Sequence, residues 1–251
     1  MRAFYYLLFY CFMFKIYAFV KNLFKTDKTE RKSGMPEVNL LDLYPNLNRD
    51  VEWRFKNLTE EQRKMARQFG REFFDGDRLW GYGGYVYDGR WGSIVRRFRD
   101  YYDLTSYSSV LDVGCAKGFM LHDFIRTIPG ITVAGIDISW YALKKADNDI
   151  KSFLKLGNAK DLYFPNHSFD LVISINTVHN LELLECKRAI AEIERVKKKH
   201  AFLVLDSYRN PKEEDRMRKW NITGKTILSV DEWIELFKEV GYTGDYYWFI
   251  P

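Results

Sequence analysis

Apolar and polar positions follow two rhythms along this chain. From residue 109 onward, short β-rich apolar runs recur at 109–114, 132–137, 153–157, 169–176 and 201–206, and the stretches between them carry apolar positions at helical spacing. Strands alternating with helices predict a mostly parallel sheet flanked by helices, an α/β architecture. Residues 231–240 (DEWIELFKEV) predict a last helix that Gly241 stops, and YTGDYYWFI a final strand. Upstream, LTEEQRKMARQFGREFF (58–74) predicts one helix, capped by Thr59 with Glu61 near the third helical position, and Ile94 to Leu104 a second. Between these two lies GYGGYVYDGRW, whose glycines and tyrosines predict a loop. Residues 26–34 are short, charged and polar, as in a linker.

The most informative segment is SSVLDVGCAKGFMLHDF, followed about twenty residues later by VAGIDIS. It predicts a strand, a glycine-bearing turn, a helix and a second strand ending in Asp137. Gly114 and Gly118 let the backbone turn tightly and approach a ligand. The turn reads D-x-G-x-A-x-G and lacks the G-x-G-x-x-G spacing that seats a pyrophosphate on a helix N-terminus. Asp112 inside the turn repels an anion and favours a cofactor carrying an ammonium and a sulfonium. S-adenosylmethionine has both, and the Asp137 carboxylate suits its ribose hydroxyls.

On these residues the chain resembles the class I S-adenosylmethionine-dependent methyltransferases, whose first motif is E/D-x-G-x-G-x-G. Asp112, Gly114 and Gly118 match it, and Ala116 replaces the middle glycine. The acid ending strand two (Asp137), N-A-x-x-L-x-F-P (Asn158 to Pro165) and S-F-D-L-V-I-S-I-N (Ser168 to Asn176) follow in the family's order. The resemblance implies a Rossmann-like fold, with a seven-stranded sheet and an antiparallel last pair. Only one clear strand follows the last helix here, which leaves the seventh strand open. The stretch from Met35 to Pro251, with FFDGDRLWGYGGYVYDGRW and GYTGDYYWFIP, further resembles a bacterial subgroup associated with surface-polysaccharide or modified-sugar gene clusters. That resemblance implies polysaccharide biosynthesis and a carbohydrate acceptor.

Ligands of open α/β sheets bind beyond the carboxyl ends of the strands. Asp112, Gly114, Cys115 and Gly118 follow strand one, Asp137 and Ile138 strand two. Asn158 and Ala159 follow strand three, where the family contacts adenine. Asn176, His179 and Asn180 follow strand four, beside the methyl group. Methyl transfer needs a positioned nucleophile and removal of its proton. His179 is the expected base, since imidazole titrates near neutral pH; the competing reading is a histidine that only packs. Asp206, ending strand five, is expected to orient that ring, bind a substrate hydroxyl or hold a metal. No spacing of histidines and cysteines spells a metal site. Tyr82, Tyr85, Tyr87 and Arg90 in the glycine-flanked loop predict a lid over a sugar, with Arg90 clasping a carboxylate or phosphate; the alternative is a packed cap.

Bulk properties narrow the partners. The net charge is +5, and residues 1–34 carry seven Lys or Arg against two Asp or Glu, which accounts for the whole excess. The remainder is balanced, which argues against a nucleic-acid substrate. Three scattered cysteines suggest a reducing compartment, hence a cytoplasmic protein without disulfides. Residues 1–24 hold ten aromatics, and only Lys15 interrupts the apolar stretch from Ala3 to Val20. They fit an interfacial helix touching the inner membrane face, a marginal spanning helix, a helix packed on protein, or an extension upstream of Met35. The expected divisions are 1–34 as extension and linker, 35–104 as helical cap and lid, and 105–251 as the cofactor-binding methyltransferase domain. The acceptor expected is a sugar, sugar nucleotide or glycan precursor, methylated on oxygen. A phosphorylated or lipid-linked metabolite, or a catalytically silent partner in a membrane complex, are the alternatives.

Overall fold

The fold is organised around β1 (Ser109–Val113), in a computed structural model that describes residues 35–45 and 50–251. β1 pairs in parallel with β2 (Thr132–Asp137) on one side and β4 (Phe169–Ile175) on the other. β3 (Leu154–Leu156) extends the sheet beyond β2, and β5 (Lys197–Tyr208) extends it beyond β4. The free edge of β5 is shared: β7 (Asp245–Phe249) pairs with residues 202–206, and β6 (Leu228–Ser229) with Ser207 and Tyr208.

The seventh strand left open by the sequence is therefore present, as the two-residue β6. The antiparallel last pair that the resemblance implied is absent: every described strand pair is parallel. A helix lies between β6 and β7, at Val230–Val240, and a crossover of that length returns the chain in the same direction. This helix ends on Gly241 at φ +71°, as the sequence predicts, and begins at a Ser229–Glu232 capping box that the sequence reading did not include.

Side chains alternate between the two faces of the sheet, so neighbouring residues serve separate cores. Val110, Leu171 and Phe202 pack with Ile94, Val95, Phe98 and Phe124, from α4 (Trp91–Tyr102) and α5 (Phe119–Thr127). Leu111, Val172 and Leu203 pack on the other face, with Ile190 and Ile193 of α7 (Leu183–Val196) and with Trp233 and Phe237. Every one of these residues is fully buried, each worth about 1.5 to 3 kcal/mol of apolar transfer.

The helix predicted over 58–74 is two helices, α2 (Glu60–Ala66) and α3 (Arg71–Asp75). Thr59 caps α2, but its box partner is Gln62 and not Glu61. The break sits at Phe69, which turns left-handed at φ +51°, and the Ser139 hydroxyl donates to its freed carbonyl at 2.5 Å. α1 (Val51–Asn57) precedes α2, α6 (Trp140–Lys144) follows β2, and α8 (Pro211–Trp220) follows β5. Residues 35–251 form one compact unit. The readings made for residues 1–34 lie outside the described residues. No helix among the described residues is long and apolar enough to cross a membrane.

Candidate active site

A cavity of about 1020 Å³ opens beyond the carboxyl ends of β1, β2, β4 and β5. Its floor is the turn after β1. Gly114 holds φ +89° there, and a Cβ on it would meet the Thr177 Oγ1 at 2.1 Å, so the strand-four connection can approach only a glycine. Ala116 occupies the left-handed region at φ +51°, where the family motif places glycine. Gly118 does not line the cavity. It starts α5 at φ +76°, and a Cβ there would meet Leu154 at 2.9 Å, so packing by itself already requires a glycine.

Two acids face each other across this floor. Asp137 accepts the Ser139 backbone N–H on one oxygen and the Ala116 backbone N–H on the other, both at 2.7 Å. It thus ties the end of β2 to the first turn, a contact the sequence did not disclose, and each oxygen keeps a lone pair for a ligand hydroxyl. Asp112 is 6% exposed, and its carboxyl accepts no hydrogen bond from any described residue. Burial, with Asp137 nearby, pushes it up to about 7. Ile138 stands 57% exposed at the rim, with Asn158 and Ala159 along the same wall.

These features fit the cofactor that the motif implies. Asp112 offers an unpartnered buried carboxylate to an ammonium, Asp137 has two lone pairs for ribose hydroxyls, and Ile138 offers an apolar surface to adenine. Cys115 and Asn176 also line the cavity. Asn176 sits at φ +50° and turns the chain after β4. Thr177, which presses against Gly114, was missed; no local pattern marks it, because its contact is with a residue 63 positions earlier.

His179 and Asp206 stand together at the far side of the floor, 3% and 6% exposed. The Asp206 backbone N–H donates to His179 Nδ1 at 3.3 Å, and His179 Nε2 lies 3.6 Å from Asp206 Oδ2. Burial lowers the imidazole and raises the carboxyl from their ordinary values. Asn180 donates to the Asn176 carbonyl at 3.2 Å and leaves its own buried Oδ1 without a donor.

The tyrosine loop forms the opposite wall. Tyr82, Tyr85 and Arg90 line the cavity. Tyr87 does not: its hydroxyl donates to Asp123 at 2.5 Å and its ring packs on His122, away from the ligand space. Arg90 is held in a two-pronged pair with Asp88 of its own loop, at 2.9 and 2.6 Å. The loop is latched from below. Lys117, 5% exposed in the turn after β1, donates to both Asp75 oxygens (2.8 and 2.7 Å) and to the Tyr85 carbonyl at 2.7 Å. The Tyr141 hydroxyl donates to the same carboxylate at 2.7 Å. The sequence reading named none of Asp75, Lys117 and Tyr141; Lys117 hid at a variable position of the glycine motif. A third wall comes from Arg54 and from Arg216 and Trp220 of α8. The Arg54 guanidinium lies 5.5 Å from the Trp220 ring centre, and the Trp220 ring packs tilted against Phe249 with centroids 5.2 Å apart.

A family profile described as a methyltransferase domain matches residues 111–205. A Haemophilus influenzae protein of uncharacterised activity is 30% identical over 145 residues, covering 53% of this chain and 57% of its own. An Encephalitozoon cuniculi protein bearing a provisional methyltransferase name is 28% identical over 172 residues, 61% of this chain and 77% of its own. The solved structure of the Bacillus subtilis YcgJ protein superposes with a TM-score of 0.48 at 20% identity, over 58% of this chain and 66% of that one. The chain spans little more than half the length of the Haemophilus relative. The matched segment begins in β1 and ends in β5, so it contains Asp112, the glycine turn, Asp137 and His179, and leaves the cap and the last strands outside. Residues 111–205 are a methyltransferase domain of Rossmann-like fold whose cofactor is S-adenosylmethionine.

Proposed function

We propose that the whole chain is an S-adenosylmethionine-dependent methyltransferase that methylates an oxygen of a small hydroxylated acceptor, a sugar, sugar nucleotide or glycan precursor. One observation carries this reading. A single cavity holds two buried carboxyls that accept no hydrogen bond from any described residue, Asp112 on the cofactor side and Asp206 beside the loop from strand four. A sulfonium already activates the methyl carbon, so the protein's task is to hold the acceptor in line and remove its proton. Asp112, Asp137, Ile138, Asn158 and Ala159 would hold the cofactor. Tyr82, Tyr85, Trp220 and Asn180 would receive the acceptor, aromatic faces suiting sugar C–H surfaces.

A second reading is favoured by Arg54 and Arg216, both on the cavity wall: an acceptor that carries a phosphate or other acidic group, lipid-linked or free. A nucleotide sugar satisfies both readings. Incubation with methyl-labelled cofactor and panels of nucleotide sugars, neutral sugars and phosphorylated metabolites, with and without magnesium, separates them. Label transfer confined to non-carbohydrate acceptors would remove the sugar assignment. A protein that binds S-adenosylhomocysteine but labels nothing would instead be the silent partner. For residues 1–24 the aromatic and basic content supports peripheral contact with an anionic membrane. Removal of residues 1–34 is expected to leave cofactor affinity unchanged and to abolish salt-sensitive flotation with phosphatidylserine vesicles. Equal flotation of both forms would refute the membrane role.

A further inference from the structure

His179 and Asp206 meet on the cavity floor in an arrangement that follows from how two strands end. β4 stops at Ile175 and the chain turns away, while β5 continues to Tyr208. The backbone N–H of Asp206 therefore has no strand beside it on that side, and His179 Nδ1 accepts it at 3.3 Å. A ring nitrogen that accepts a hydrogen bond carries no proton, so the neutral imidazole keeps its proton on Nε2. Nε2 faces Asp206 Oδ2 at 3.6 Å. Both nitrogens are thereby committed: one lone pair is occupied by the chain's own N–H, and the other position already holds a hydrogen. Protonation at Nδ1 would set two N–H groups against each other in a buried site.

Asp206 has the opposite character. Its backbone is fixed by the bond to His179 and by Trp233 Nε1, which donates to its carbonyl at 3.1 Å. Its carboxyl lines the cavity and accepts no hydrogen bond from any described residue. The geometry points to Asp206 as the catalytic residue that takes the acceptor's proton, with His179 as a neutral positioning residue that anchors the Asp206 backbone through Nδ1 and turns its Nε2–H edge toward the carboxylate at 3.6 Å, a dipole contact and not a hydrogen bond. This assignment rests on the methyl-transfer reading above.

The step balances. The acceptor O–H proton passes to a carboxylate oxygen of Asp206, and the freed electron pair forms the new O–C bond. The S–C bond breaks and sulfur keeps that pair. A carboxylate and a sulfonium become a carboxylic acid and a thioether, so charge is annihilated inside a buried site, where separated charges are most costly. Burial, which raises Asp206 and lowers His179, moves both groups in the direction this division needs. Among the described residues, each is the other's charged or titratable neighbour in the cavity floor, 3.6 Å away. Around them, Lys225 is paired with Glu182 at 3.2 Å, Arg216 of α8 donates to the Pro251 carbonyl at 2.8 Å, and the last helix contributes the uncharged Trp233.

Two arms test it on the full chain, the first on protein loaded with S-adenosylhomocysteine and the second with the methyl-bearing cofactor. In nitrogen-15 NMR of histidine-labelled protein, His179 is expected to stay neutral with its proton on Nε2 from about pH 6 to 9. A ring that protonates within that range, or carries its proton on Nδ1, overturns the inference. In turnover with the acceptor returned by the labelled-cofactor screen, Asp206→Asn is expected to lower kcat by about a hundredfold or more and to erase the acid limb of the pH profile. His179→Gln, which keeps an acceptor for the Asp206 N–H and a donor for its carboxylate, is expected to stay within about tenfold of wild type and to keep that limb, well above His179→Ala. The reverse ranking returns the base to His179. Failure to find any acceptor counts against the methyl-transfer reading alone, since the NMR arm needs none.

Discussion

The two sides of the cavity, the strand-end floor and the walls facing it, are built by different means. On the cofactor side, Asp112, Gly114, Asp137 and Asn158 all sit at or just beyond the ends of parallel strands, each placed by the hydrogen-bond register of the sheet. On the acceptor side, Arg54, Tyr82, Tyr85 and Trp220 come from helices and loops far apart in the chain, joined by side-chain contacts such as the Lys117–Asp75 latch. A register places residues through backbone groups that every sequence shares. A side-chain latch depends on individual residues, so the second side varies with the particular sequence in a way the first does not.

The largest effect should come from the point where the two modes meet. Asp137→Ala removes an acceptor from two backbone N–H groups and from the ribose together. Charge-assisted hydrogen bonds are worth roughly 1.5 to 3 kcal/mol each, so S-adenosylhomocysteine affinity in calorimetry should fall by about a hundredfold, with a lowered melting temperature. Full retention of both would dissolve the cofactor assignment for this acid.

Next in size is a pH effect on the cofactor side. Asp112 is raised to about 7 in the folded protein, well above its ordinary value near 4, so between those values the fold holds a proton that the unfolded chain has released. The ligand-free protein therefore loses stability as pH rises through that window. An ammonium partner needs the ionised form, so S-adenosylhomocysteine affinity should climb about tenfold per pH unit from pH 5 toward 7 and level off above it. Asp112→Asn should bind more weakly at pH 8 and show no such slope. A wild-type affinity flat from pH 5 to 8 would contradict this placement.

The smallest effect sharpens the acceptor side. Lys117→Met leaves Asp75 with only Tyr141 and the Tyr85 N–H, and should cost about 1 to 3 kcal/mol. Amide exchange of residues 82–87 should be slow in the wild type with or without cofactor, and faster in the variant. Slowing only on ligand addition in the wild type would mean that the loop closes as a lid, as its glycines had suggested, and that the latch is secondary.

Much of the cofactor side was legible before any coordinates. D-x-G-x-A-x-G, a second strand ending in Asp137, and N-A-x-x-L-x-F-P each lie within a few residues, and local order carried them into space unchanged. The misreadings fell where a distant contact overrides a local pattern. The helix over 58–74 breaks at left-handed Phe69, and Ser139, seventy positions away, takes the carbonyl freed there. Tyr87 looked like a ligand aromatic among its neighbours, yet Asp123 draws it the other way. Arg90 is a local exception: it lines the cavity as expected, but Asp88, two residues earlier, pairs with it. Gly118 matched the motif but is needed for helix packing against Leu154.

What the sequence by itself determined, then, is the alternation of strands and helices, the glycine turn and its acids, and the order in which strand ends deliver residues to one edge of a sheet. Period-two and helical hydrophobicity encode these within windows of ten to twenty residues. Only the tertiary structure decided that the sheet is parallel to its last strand, that Lys117 and Asp75 lock the tyrosine loop, and that Trp220 and Arg54 complete the cavity. It alone also decided which nitrogen of His179 carries a proton, because that depends on where β4 ends relative to β5, a relation between two strands that neither strand's sequence contains.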